Sequence, residues 1–217
     1  MSRMMIIVRW SGACENLEQT LRSCQTENQL PDLGCELVIA TDFAEAEKQE
    51  AVYERKYPYI SFDRNQKILA DFVTVLDAGE YYEGRTLGQL LSLLEDSNQE
   101  NILLLSNVTP HTVVKKAESL TGKKRNVTKV NQILKLPASM NGSIIRTSLW
   151  KSEPDEVLDV KTLLARWDRF SLSRKIAENG SVLYVENAYF HGNRTYPDFG
   201  PLPDAWFRAS WYEQQEA

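Results

Sequence analysis

Two hydrophobic rhythms alternate along the chain. Met4 to Trp10 is a run of apolar and β-branched positions interrupted only by Arg9, the pattern of a strand buried on both faces. After Ser11-Gly12, Leu17, Leu21 and Cys24 recur at helical spacing and predict a helix over residues 15–28. Pro31-Asp32-Leu33-Gly34 ends it, and residues 35–40 predict a second strand that stops at Thr41-Asp42. Residues 43–57 read as a polar helix with Glu and Lys three and four apart. Residues 72–76 form a third strand that runs straight into Asp77-Ala78-Gly79-Glu80. Leu87, Leu90, Leu91 and Leu94 place a helix over residues 86–96, and residues 102–106 supply a fourth strand. Further on the pattern predicts strands over 142–146 and 182–185, and one helix over 163–179 that stops at Gly180.

Strand and helix alternating through short links imply a mainly parallel sheet covered on both faces, a three-layer α/β/α architecture. No repeat, low-complexity tract or linker divides the 217 residues, so a single domain over 1–217 is expected. Residues 1–106 form its first half, 107–196 its second, and 197–217, with Pro197, Pro201 and Pro203, a wrapping tail. Composition changes this picture little: 42% hydrophobic and 25% charged residues are ordinary for a globular protein. A net charge of -5 argues against a sequence-independent nucleic-acid binder. Apolar stretches fall far below the roughly 20 residues that cross a bilayer, and the first is too short for a secretion signal, so a cytoplasmic location is expected. Cys14, Cys24 and Cys35 match no metal-binding spacing and are expected as reduced thiols. His111 and His191 are the only histidines, which excludes a multi-histidine zinc site.

Ligands of parallel sheets bind beyond the carboxyl ends of the strands. The residues to examine are therefore Trp10-Ser11-Gly12, Thr41-Asp42 and Asp77 to Glu80, and two of these three exits carry an acid. A carboxylate there can accept a hydrogen bond from a ribose or base, or hold a divalent cation that bridges phosphates. Asp is also common at such positions because it favours turns and caps helices. Dinucleotide-binding Gly-x-Gly-x-x-Gly, P-loop and Gly-x-Ser-x-Gly signatures are absent.

Taken in order, the pieces resemble the family-two glycosyltransferases, inverting enzymes of the GT-A fold. The resemblance rests on residues 5–16, the strand ending at Asp42, Arg64-Asn65, and the strand entering Asp77 to Glu80. It continues through Asn141-Gly142-Ser143-Ile144-Ile145-Arg146, Trp167-Asp168, and the segment from Ser181 to His191, covering about residues 4–195. It implies a nucleoside-diphosphate sugar donor, a saccharide or lipid-linked acceptor, and Mn2+ or Mg2+, in the synthesis of a surface polysaccharide or glycolipid. Trp10 and Ser11 would line the nucleotide site, Asp42 would bond the base, and Arg64 would hold the nucleotide. Asp77 and Glu80 would lie by the ribose and the metal, with His191 as a further ligand, and Asp168 would be the catalytic base. Gly79 stands where the family motif has its second acid, and only Asp168 remains of the usual acidic pair.

Those departures keep a second reading open, a non-catalytic GT-A-like partner or regulatory protein. A sugar-phosphate nucleotidyltransferase is a third, although its Gly-rich basic loop is represented only by Arg9 and Gly12. Lys115-Lys116 and Lys123-Lys124-Arg125 read as a solvated helix and turn, or as a contact with anionic lipid. The short chain suggests that a membrane surface, at its inner face, or another subunit completes the acceptor site.

Overall fold

Every position of β1 (Met4–Trp10) except Arg9 is buried, so this strand must lie inside a sheet that is covered on both sides. The computed structural model has that arrangement, and describes residues 3–12, 14–27, 29–41, 46–63, 65–82, 84–96, 102–106, 122–126, 138–185 and 190–191. β1 pairs in parallel with β2 (Cys35–Thr41) on one side and β4 (Phe72–Asp77) on the other. β3 (Ile60–Ser61) extends the sheet beyond β2. Beyond β4 lie β8 (Ala138–Arg146), β6 (Ile102–Ser106), β9 (Ser181–Val185) and β7 (Gly122–Asn126), giving the order β3-β2-β1-β4-β8-β6-β9-β7. β8 opposes both β4 and β6, and β7 opposes β9, so the other six strands share one direction. A separate two-stranded ribbon joins β5 (Tyr81–Tyr82) to β10 (Phe190–His191).

The period-two alternation of β1 divides the core. Met4, Ile6, Val8 and Trp10 face Leu17 and Leu21 of α1 (Cys14–Arg22), Tyr53 of α2 (Glu47–Lys56), and Leu87, Leu90, Leu91 and Leu94 of α3 (Thr86–Asp96). Met5 and Ile7 face Val160 and Leu163 of α4 (Val160–Arg166) and Leu172 and Ile176 of α5 (Arg169–Asn179). Helices thus cover both faces, and the expected three-layer α/β/α architecture with a mainly parallel sheet is the one found. Burying these side chains stabilises the fold by about 1.5–3 kcal/mol for each large one.

Three expectations need correction. The single helix over 163–179 is two helices: α4 ends at Arg166 with Trp167 as its cap, and Asp168 starts α5 as its N-cap. The break is favoured because Trp167 leaves helical geometry to stack on Trp150, ring centroids 5.0 Å apart. Lys123-Lys124-Arg125 is the middle of β7, the last strand of the described sheet, not a helix and turn. The strand read over 142–146 begins earlier, at Ala138, because its first residues look polar in sequence but pair with β6. Lys115-Lys116 and the 197–217 tail lie outside the described residues. Cys24 and Cys35 are both buried, and burial pushes the Cys35 thiol up to about 12 despite Arg3 nearby.

Candidate functional site

Register alone builds a row of polar residues across the carboxyl edge of the sheet. The parallel ladder of β1 and β4 sets Arg9 opposite Asp77. The antiparallel ladder of β4 and β8 pairs Phe72 with Arg146 and Val73 with Ile145, which carries Asn141 toward Asp77. Arg9 follows Met5 and Ile7 by two-residue steps, and Asp77 follows Val73 and Val75, so both point to the α4/α5 side. The Arg9 Nε donates to Asp77 Oδ1 at 2.7 Å and its Nη2 to Asn141 Oδ1 at 3.3 Å. The Asn141 Nδ2 donates to Asp77 Oδ2 at 3.1 Å and to Glu80 Oε2 at 2.8 Å.

The turn after β4 supports this row. Glu80 N donates to Asp77 O at 2.9 Å, and Gly79 in the third position has φ 100°, the conformation a type II turn reserves for glycine. Gly79 therefore serves the turn where the family motif would place an acid. The Glu80 carboxylate folds back instead, fully buried, and its Oε2 accepts the Asp77 amide at 2.7 Å. Buried Thr20 of α1 clasps the same turn: its hydroxyl donates to Glu80 O and accepts from Gly79 N, both at 2.8 Å.

Asn141 is aimed by an irregularity in β8. Between the pairs Leu103–Ile144 and Leu105–Ser139 the register with β6 shifts, and Gly142 lies in the shifted stretch with φ 76°. A Cβ on Gly142 would come within 2.6 Å of the Phe190 ring. The Gly142 carbonyl accepts the Tyr82 hydroxyl proton at 2.7 Å, so at the 3.3 Å contact between Thr74 and Tyr82 hydroxyls Thr74 is the donor. Burial holds the Tyr82 phenol far above its ordinary value, neutral and fit for this donation.

Asp168 reaches the same edge by another route. α5 runs back along β9 and joins it through Gly180, whose φ of 78° ends the helix. Eleven helical residues and five strand residues both span about 16 Å, so the start of α5 is level with the carboxyl end of β9. Leu172 and Ile176 pack on the same face that Arg9 and Asp77 occupy. Asp168 is exposed there, accepting from the Ser171 amide at 3.0 Å and the Ser171 hydroxyl at 2.5 Å.

The other expected site residues divide into three groups. Trp10 ends β1 but is only 2% exposed and packs edge-on against Tyr53 and Phe62, while the adjacent Ser11 is exposed. Asp42 and Arg64 lie outside the described residues. The His191 backbone pairs with Tyr81, on the strand next to Glu80, and its side chain lies outside the described residues. In the sequence Asn141 has no assigned role, and Arg9 stands only for part of a basic loop. The signal for Arg9 was present, a single charge in an otherwise apolar strand.

Manganese or magnesium, which the resemblance implies, needs carboxylate oxygens open to it. Here both Asp77 oxygens hold Arg9 and Asn141, Glu80 is sealed from solvent, and its Oε2 takes two bonds. Among the described residues no three His, Cys, Asp or Glu side chains gather as a metal site. As arranged, the described residues do not fit a divalent ion.

No family model matches the sequence, and comparison with curated proteins gives no match. Solved structures do match. The chain is similar to the glycosyltransferase TarS of S. aureus in complex with UDP-GlcNAc, with TM-score 0.59 and 14% identity over 95% of this chain and 64% of that one. The complex of TarS with UDP matches with TM-score 0.59 and 16% identity, covering 91% and 62%, and a longer TarS structure with 0.59 and 17%, covering 91% and 38%. This chain thus spans between 38% and 64% of those proteins, and similarity at this level of identity establishes a shared fold.

Proposed function

We propose that the chain is a nucleotide-sugar glycosyltransferase that moves a sugar from a nucleoside-diphosphate donor to an acceptor hydroxyl with inversion. The observation that carries this reading is the Arg9–Asp77–Asn141 row at the carboxyl edge of a TarS-like sheet, with Asp168 at that edge and on that face. Three strand spacings separate β4 from β9, roughly 14 Å, which leaves room for a sugar and its diphosphate between them. Asp168 takes the acceptor hydroxyl proton as that oxygen bonds the anomeric carbon. The bond from that carbon to the diphosphate oxygen breaks, and its electron pair leaves with the diphosphate. One in-line displacement without a protein nucleophile inverts the centre. Asp77 stands at the strand end against Arg9, and exposed Ser11 follows the adjacent strand. UDP is the first nucleotide to consider, because TarS structures hold UDP and UDP-GlcNAc. The acceptor is a saccharide or lipid-linked saccharide.

The test is release of nucleoside diphosphate from UDP-GlcNAc and other UDP- and GDP-sugars, with saccharide or lipid-linked acceptors. Release that Asp168→Asn abolishes supports the reading. One observation favours the non-catalytic relative: both Asp168 carboxylate oxygens already cap α5. A wild type that binds a donor and never turns it over would establish that second reading.

A further inference from the structure

Arg9 interrupts β1 with a charge where packing asks for none. Its side chain keeps 36% exposure, against 24% for Asp77. Two of its three nitrogens are committed, Nε to Asp77 and Nη2 to Asn141. Nη1 makes no hydrogen bond among the described residues. Asn141 fixes this arrangement further. Its Nδ2 is spent on the two carboxylates, so its carbonyl oxygen is the atom left to face the guanidinium. The outcome is a planar cation held at two corners, with its remaining edge open at the end of the strands. A guanidinium is always charged and its fork matches phosphate oxygens, which makes a held arginine well suited to anion recognition.

We propose that Arg9 is a phosphate-binding residue of the donor site, with Asp77 and Asn141 as its positioning residues. It thereby supplies from the protein the positive charge that meets the donor diphosphate. The proposal rests on the glycosyltransferase reading and deepens it: Asp77 directly, and Glu80 through Asn141, hold an arginine in place of a divalent ion. Glu80 takes part through Asn141 and the Asp77 amide, sealed away from the ligand. Nucleoside diphosphate then binds without added metal, and the diphosphate contributes to affinity through Arg9.

Calorimetric titration with UDP, GDP, CDP and uridine tests this, first with EDTA and then with manganese, on wild type, Arg9→Gln and Arg9→Lys. Wild type is expected to bind at least one diphosphate in EDTA. Arg9→Gln weakens that binding roughly 10- to 100-fold, the usual effect of losing a charge-assisted bond, and Arg9→Lys weakens it less. Uridine affinity changes little in either variant. Equal UDP affinity in wild type and Arg9→Gln overturns the proposal, as does wild-type binding that appears only with manganese; the glycosyltransferase reading survives both results. Absence of binding by any diphosphate under either condition removes that reading too. If Arg9→Gln does not fold, wild type alone decides: a bound diphosphate must outbind its nucleoside in EDTA by roughly tenfold or more.

Discussion

Asp168 carries two jobs at one residue, and they can be separated. Its carboxylate caps α5 through the Ser171 amide and hydroxyl, and in the proposed reaction it is also the base. Asn caps a helix nearly as well as Asp and cannot take the proton. Asp168→Asn should therefore melt like wild type and lose roughly a hundred- to ten-thousand-fold in turnover. Asp168→Ala should add a stability loss of about 1 kcal/mol. A Gly142→Ala variant probes the support beneath Asn141. A Cβ there meets the Phe190 ring at 2.6 Å on a backbone with φ 76°, whereas at Gly34, with φ 65°, nothing lies within 4 Å. Thermal melting should show a loss of about 2–4 kcal/mol for Gly142→Ala, from strain plus overpacking, and only about 1–2 kcal/mol for Gly34→Ala. Equal losses at the two positions would mean that the Phe190 contact carries no constraint. At this scale Asp77 stood out because it directly follows an apolar strand at the carboxyl edge, although an acid there can equally serve a turn. Asn141 did not, because its partner is 64 residues away and its aim depends on the shifted register of β8.

Between elements, single side chains do the joining. Thr20 ties α1 to the turn between β4 and β5 by bonding both Gly79 N and Glu80 O. Thr20→Val keeps the shape and leaves two buried backbone groups without that partner. A loss of about 2–4 kcal/mol in chemical denaturation is expected, together with weaker nucleotide binding as Glu80 loosens. On the opposite face, Arg166 grips Glu156 through Nη1–Oε2 at 3.0 Å and Nη2–Oε1 at 2.7 Å. The Arg166 guanidinium, helped by the Ser152 amide, lowers the Glu156 carboxyl from 4.5 to about 2. The unfolded chain therefore takes up this proton first as pH falls. The pair's stabilisation is complete above about pH 4.5 and is lost as pH drops toward 2. The gap in melting temperature between wild type and Glu156→Gln should be open at about pH 7 and nearly closed at about pH 2. Helix and strand positions in the first half were readable because its longest elements, such as β1 and α3, keep their pattern over seven or more residues. The break at Trp167 was not, since the indole stacks on Trp150 across a loop and overrides a pattern that remains helical on both sides. Two-residue strands such as β3, β5 and β10 are too short to leave any periodicity.

For the whole molecule, the order of strands decides what can meet. Placing β1 and β4 side by side, with β8 reversed beyond them, brings residues 9, 77 and 141 into one row that no local motif announces. Sequence pattern implied a parallel sheet and its carboxyl edge as the binding edge, and it could not give the order beyond β4, where pairings become long-range and partly antiparallel. Similarity to TarS at 14–17% identity shows that the overall fold is shared with little likeness in sequence. The proposed function requires this edge to bind a nucleoside diphosphate. Titration of UDP, GDP and CDP against wild type and Asp77→Ala tests it most directly, with circular dichroism confirming that the variant is folded. Binding of one nucleotide that Asp77→Ala loses by tenfold or more is the predicted result. Unchanged affinity in a folded Asp77→Ala, or no binding of any nucleotide by wild type, would contradict it.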